Sequence, residues 1–182
     1  MTTTSGDLIA SGRDRPASLT RADLAALYAE HRLGLVRLAV LLVDDRSTAE
    51  DVVQDAFAGL AAHAGRLRDA DAALGYLRRA VVNRSRSALR RRRTVRGHRP
   101  PHDVPGGDPA DRVVLDEEHR AVLAALDRLP RRQREVIVLR YWCGLSEAGI
   151  AETLAISRGT VKSTAARALA AVERHLQEGT DR

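Results

Sequence analysis

The side chains most suited to chemistry lie in residues 145–169, LSEAGIAETLAISRGTVKSTAARAL. Ser157 stands where a helix N-cap belongs, and Arg158, Gly159, Thr160 and Lys162 fill the turn that follows. Such a start leaves unpaired amides and the positive end of the helix dipole outward, an arrangement that attracts phosphate. Gly159 lets the backbone approach a ligand closely. Ile150, Leu154, Ile156, Val161, Ala165 and Leu169 supply the apolar contacts that hold two crossed helices at a fixed angle, as in a helix-turn-helix. In that geometry the start of the second helix meets base edges in the major groove of DNA. Arg158, Thr160, Lys162, Ser163 and Thr164 are therefore candidate base readers, and Arg167 a candidate phosphate contact. The alternative is a plain helical hairpin.

A second surface comes from Arg79, Asn83, Arg86 and Arg90, whose helical spacing puts them on one face, opposite Leu77 and Val81. Eight arginines and no acid occupy residues 84–99, including the run Arg90, Arg91, Arg92 and Arg93. Such a stretch draws phosphates in a salt-dependent way, or is a solvated helix end favoured by the dipole. A third face carries Glu50, Asp51, Gln54 and Asp55. Carboxylate clusters can serve metals or acid–base catalysis, but no histidine is spaced to join this one. A solvated face or a docking surface for a basic partner is left.

Composition narrows the function classes. His31, His63, His98, His102, His119 and His175 lack ligand spacing, and neither a glycine-rich phosphate loop nor a nucleophile elbow occurs. No metal site, cofactor or enzymatic activity is expected. The single cysteine, Cys143, excludes an internal disulfide, fits a reducing cytoplasm and reads as a packed, inert side chain. No apolar run is long enough for a membrane span, and the polar start MTTTSGDLIASGRDR does not resemble a signal peptide, so a cytoplasmic protein without membrane insertion is expected. The net charge of +6 favours a polyanionic partner, and its excess sits early: 16 basic against 11 acidic residues in 1–93, 3 against 3 in 94–112, and 11 against 10 in 113–182. Every basic residue except Lys162 is arginine, which suits bidentate phosphate contact and is also the bias of a GC-rich genome.

Positioning these faces falls to helices. Leu24, Leu27, Tyr28, Leu35, Leu38 and Leu42 predict one that ends at Asp44, Asp45 and Arg46. Ser47 with Glu50 reads as a capping box opening a second, with Val52, Val53, Ala56, Phe57 and Leu60 inward. After a polar stretch over 61–71, a third spans about 72–93 with Leu74, Leu77, Val81 and Ala88 buried. The segment TVRGHRPPHDVPGGDPADR cannot continue a helix, and its 19 residues reach roughly 60 Å. Four more helices are predicted at 113–128, 130–141, 146–154 and about 157–177, with Pro130 in the first turn of its helix. The 182 residues, 44% hydrophobic, can form two small cores. The expected fold is all-α: a flexible tail over 1–18, then two small helical domains, 19–93 and 113–178, joined by a Pro/Gly-rich linker over 94–112, the second containing the helix-turn-helix.

In this order, AEDVVQDAF, YLRRAVVNRSRSALRRRR, a Pro-rich linker and LDRLPRRQREVIVLRYWCGLSEAGIAETLAISRGTVKSTAARAL resemble an extracytoplasmic-function (ECF) sigma factor of bacterial RNA polymerase, over roughly residues 20–177. Three separated motifs in sequence are far more specific than a lone helix-turn-helix. The resemblance implies a subunit that binds core RNA polymerase and directs promoter-specific transcription initiation, with 19–93 as sigma region 2 and 113–178 as region 4. It implies that Glu50, Asp51, Gln54 and Asp55 dock on the beta-prime clamp helices. Arg79, Asn83, Arg86 and Arg90 would meet the minus-ten element, and Arg158, Thr160, Lys162, Ser163, Thr164 and Arg167 the minus-thirty-five element. The preceding loop lacks aromatics for base stacking, which leaves His63, Arg66 and Arg68 as a pocket for the unpaired strand. The linker would thread towards the RNA exit path. Val122, Leu126 and residues 136–139 would pack the second domain and offer contact to the beta flap. An anti-sigma factor is a further expected partner.

Two residues depart from the family pattern. Gly149 stands where an acid is usual, so the capping box at Ser146 is incomplete, and Ala155 replaces a common glycine, so the turn must tolerate a β-carbon. Two readings from other classes remain at this point, an autonomous helix-turn-helix regulator of operator DNA and an Arg-rich RNA-binding protein.

Overall fold

The computed structural model describes residues 19–43, 45–64, 69–96 and 117–180, and among them every regular element is helical. In chain order they are α1 (Arg21–Val43), α2 (Arg46–His63), α3 (Ala70–Arg96), α4 (Glu117–Asp127), α5 (Arg131–Ile137), a π-helical turn (Val138–Trp142), α6 (Glu147–Leu154) and α7 (Arg158–Thr180). Among the described residues no helix is long and apolar enough to cross a membrane. The tail over 1–18 and nearly all of the expected linker lie outside the described residues, and α3 takes up residues 94–96 at the linker's start.

Helix starts are set by short polar side chains. Thr20 and Asp23 bond reciprocally: the Asp23 carboxylate accepts the Thr20 amide at 2.8 Å and the Thr20 hydroxyl accepts the Asp23 amide at 3.2 Å. The second cap corrects the sequence reading. Ser47 does not open α2; Asp45 does, its Oδ1 accepting the Thr48 amide at 2.9 Å. Asp45 wins because its carboxylate also receives the Arg92 guanidinium, which donates to the Thr48 hydroxyl as well. Glu50 is then free of the cap and pairs with Arg46 at 3.1 Å. Asp69 caps α3 by accepting the Ala72 amide at 2.7 Å.

The apolar stripes these caps align form one core: Leu27, Leu35, Leu38, Ala39 and Leu42 of α1, Val52, Val53, Ala56 and Leu60 of α2, and Ala73, Leu77, Val81 and Val82 of α3. Tyr28, expected in that stripe, is exposed and packs edge-on against Phe57 with ring centroids 4.9 Å apart. Between α2 and α3, a β-carbon on Gly59 would lie 2.9 Å from Tyr76 Oη and 3.1 Å from an Arg84 nitrogen. Arg84 uses that proximity to donate to the Asp55 backbone carbonyl at 2.8 Å.

The core does not stop at α3. Val136, Val138, Leu139, Ile150, Leu154, Val161 and Ala165 join the same cluster, while Leu129, Ile137, Ala168 and Ala171 form a smaller one between α4, α5 and α7. The two helical bodies are therefore packed together, α3 against α6 and α1 against α5. Four expectations for the second body change. Pro130 is the N-cap of α5, its carbonyl accepting the Gln133 amide at 2.8 Å, and stays outside the first turn. The helix after it widens into a π turn, which carries Tyr141 and Trp142 to the surface. Leu169 is exposed and Ala168 takes the buried position, while Val122 is also exposed.

Candidate nucleic-acid interface

The helix-turn-helix is built by α6 and α7. Ser146 caps α6 through the Gly149 amide at 3.2 Å, and Thr153 returns a hydroxyl bond to the Gly149 carbonyl at 2.8 Å. Gly149 cannot complete the box with a side chain, but the helix forms. Ala155 closes α6 in the left-handed region, φ 53° and ψ 53°, so the turn does hold a β-carbon where glycine is easiest. Ser157 caps α7 through the Thr160 amide at 3.1 Å. Ile150, Leu154, Val161 and Ala165 are buried at the crossing.

The first turns of α7 present Arg158, Gly159, Thr160, Lys162, Ser163 and Arg167 to solvent. Thr160 Oγ1 is tied to Ser157 Oγ at 2.8 Å, Ser163 Oγ donates to the Thr160 carbonyl at 3.2 Å, and Arg167 Nε donates to the Ser163 carbonyl at 3.2 Å. Thr164 is a correction: it is 4% exposed and not open to a groove, because it lies one turn beyond the buried Val161 on the covered side of the helix. Of the residues expected to read DNA, Arg158, Thr160, Lys162, Ser163 and Arg167 are exposed.

On the first body, Asp51, Gln54 and Asp55 are exposed along α2, while Glu50 is half-buried beside Arg46. His63 is exposed at the end of that helix, its Nδ1 2.7 Å from the Gly59 carbonyl. Arg66 and Arg68, expected to complete a pocket with it, lie outside the described residues. Of the Arg79, Asn83, Arg86 and Arg90 stripe, Arg79 and Arg86 bond to the second body, while Asn83 and Arg90 are exposed. Arg86 holds Glu135 with two parallel bonds, Nε to Oε1 and Nη2 to Oε2, both 2.7 Å, and its third nitrogen donates to Asn83 Oδ1 at 3.2 Å. Arg79 meets Glu152 at 2.7 Å, and Arg90 reaches only Ser87 Oγ at 3.2 Å. The Glu135 carboxylate pushes the Arg86 guanidinium further up from its already high pKa, against the opposing effect of burial.

Sequence reasoning missed Glu135. In RRQREV it looks like the acid of surface i,i+3 and i,i+4 pairs with Arg132 and Arg131, which do lie 3.3 and 3.7 Å away. Its 2% exposure comes from α3, 49 residues distant, which no local pattern reports. Cys143 is half-buried, as its packed reading supposed, and burial pushes its thiol up despite the opposing charge of Arg78.

The helix-turn-helix, the acidic ridge and the basic α3 coincide with two recognised regions. The Sigma-70 region 2 family matches residues 27–95, and the Sigma-70 region 4 family matches residues 119–172. The chain is 38% identical over 152 residues to the ECF RNA polymerase sigma factor SigM of Mycobacterium tuberculosis, covering 82% of this chain and 75% of that protein. It is 37% identical over 154 residues to the probable ECF sigma factor SigI of the same species, covering 80% of this chain but 52% of that protein, so it spans about half the length of that relative. Among solved structures, the sigma factor RpoE in complex with the anti-sigma factor NepR from Bartonella quintana superposes with a TM-score of 0.69 at 25% identity, over 84% of this chain and 97% of that one. The chain belongs to the ECF family of RNA polymerase sigma factors.

Proposed function

We propose that this protein is a promoter-specificity subunit: it binds core RNA polymerase, directs initiation at particular promoters and has no catalytic activity of its own. It works in the cytoplasm. Residues 19–93 act as region 2 and 113–178 as region 4, with the intervening segment following the RNA exit path. Asp51, Gln54 and Asp55 engage a basic surface on the beta-prime clamp helices, with Glu50 orienting through Arg46. Arg79, Asn83, Arg86 and Arg90 contact the minus-ten element, and His63, with Arg66 and Arg68, the unpaired strand beside it. Arg158, Thr160, Lys162, Ser163 and Arg167 read the minus-thirty-five element. The second body, through its α4–α5 side, meets the beta flap. An anti-sigma factor is a natural antagonist, since the relative RpoE is found with NepR.

The observation that carries this reading is the pairing of an exposed acidic ridge on α2 with a capped, basic first turn on α7, each on the region of the family expected to bear it. A helix-turn-helix regulator acting alone has no use for the ridge. Transcription from a promoter library with purified core enzyme tests the proposal. Selective initiation dependent on this chain is expected, and failure to bind core would end it.

A further inference from the structure

Beside α3 and the corner between α4 and α5 lies a crevice of about 370 Å³, within the range of about 300–1,000 Å³ that small-molecule pockets occupy. Its buried lining is apolar with one exception. Leu42 and Leu129 are buried and Leu89 is half-buried, whereas Ser85 brings a hydroxyl among them. Ser85 is 2% exposed, and its Oγ has no hydrogen-bond partner. A hydroxyl left in that condition is costly, and a helix offers a simple remedy that its neighbour uses: Ser87 returns its hydroxyl to the Asn83 carbonyl at 3.1 Å. The exposed lining is basic. Arg86, Arg90, Arg131 and Arg134 stand against Asp127 and Glu135, four cations to two anions. Arg86 is committed to Glu135, and Arg134 to the carbonyls of Leu126 and Asp127. Arg90 donates only to Ser87 Oγ at 3.2 Å, and Arg131 comes no nearer to Glu135 than 3.7 Å. Among the described residues, neither of these two exposed guanidiniums has a carboxylate within hydrogen-bond distance.

We propose that this crevice is a binding site for a small organic anion with an apolar body. Arg90 and Arg131 hold the charged group, Leu42, Leu89 and Leu129 cover the body, and an acceptor atom of the ligand receives the Ser85 hydroxyl. Each part of that ligand answers one feature of the site. A bare phosphate would meet the arginines but leave the leucines wet and the serine unpaired; a hydrocarbon would leave both kinds of polar group unanswered. The class that meets all three is a keto or heteroaromatic carboxylate. Such a molecule touches α1, α3 and α5 at once and gives the chain a sensor for a small metabolite. The site stands whether or not the chain acts at promoters, because its occupancy is measured directly.

The probe is benzoylpropionate, which carries a carboxylate, a ring and an internal ketone, titrated into the isotope-labelled full chain and followed by amide NMR. Saturable shifts centred on residues 85–90 and 129–135 are expected, with a Kd of about 1 mM or tighter. Phenylbutyrate, which lacks the ketone, should bind about fivefold more weakly, and benzoylpropionamide, which lacks the charge, about tenfold more weakly. S85A removes only an unpaired oxygen and should abolish the preference for the ketone, so that both acids bind alike. R90Q/R131Q, at two exposed positions, should abolish the preference for the acid over the amide. The control R174Q, exposed near the far end of α7, should change each affinity by no more than about twofold. Absence of saturable shifts at these residues up to about 10 mM probe overturns the proposal. So does a ketone preference that survives in S85A, a loss in R174Q equal to that in R90Q/R131Q, or inorganic phosphate binding as tightly as the probe, since a bare ion needs no apolar walls.

Discussion

Reversing the two exposed carboxylates of the α2 ridge, D51R/D55R, isolates its role. Asp51 and Asp55 are one helical turn apart on one face, both exposed, and the bond to Arg84 uses the backbone carbonyl of Asp55 and not its carboxylate. The fold should therefore be indifferent: α2 keeps its Asp45 cap and its stripe of Val52, Val53, Ala56 and Leu60. Each exposed ion pair with a basic partner is worth about 0.5–1 kcal/mol. Reversal replaces that attraction by comparable repulsion, so each site loses about 1–2 kcal/mol and the pair about 2–4 kcal/mol. Affinity for core polymerase should fall by about 30- to 1,000-fold at low salt, less as salt rises. Titration of labelled protein with purified core, read by anisotropy at two ionic strengths, measures it. An unchanged thermal midpoint with unchanged core affinity would refute the assignment, as would an equal loss in the control E173R, on the far end of α7.

Three further outcomes are expected. A155G, which puts glycine at a left-handed position, should stabilise the second body by about 0.5–1 kcal/mol in urea denaturation, because the β-carbon penalty at φ 53° disappears. R158A/K162A should weaken binding of the core complex to promoter DNA by at least about tenfold and lower the salt slope, with core affinity preserved. Burial opposes ionisation of Asp45, but the Thr48 amide and hydroxyl and Arg92 outweigh it and hold the carboxyl below its ordinary 3.8. The stability it confers is therefore complete above that value and lost as pH falls through the lower folded-state value, so D45N should be less stable by about 1–2 kcal/mol at pH 6, with the deficit closing below about pH 3.8 in acid titrations followed by circular dichroism.

What could be read from the chain was what is local. The α6–turn–α7 unit was legible because caps, apolar spacing and the basic first turn all lie within 25 residues. The α2 and α3 stripes were legible by periodicity. Choices settled by distant partners were not. Asp45 outranks Ser47 as a cap because Arg92 reaches it from the other end of α3. Thr164 is buried, although its position in the recognition segment suggested a reader. The π turn buries Val138 and Leu139 in the shared core and leaves Tyr141 and Trp142 outward, without any signal in their own types. The docking of the two bodies required Glu135 and Arg86 to find each other across a Pro-rich segment that reads only as permission to move.

Under the proposed function, the bond from Arg84 to the Asp55 carbonyl would have a geometric effect on initiation. It fastens the ridge proposed to grip the enzyme to the helix proposed to grip the promoter, beside Gly59, where no side chain stands between them. The two grips thus share a single datum, like two jaws milled from one block. In the proposed function, seating the ridge would already set the angle at which α3 addresses the duplex, so strand opening would need no separate search for alignment.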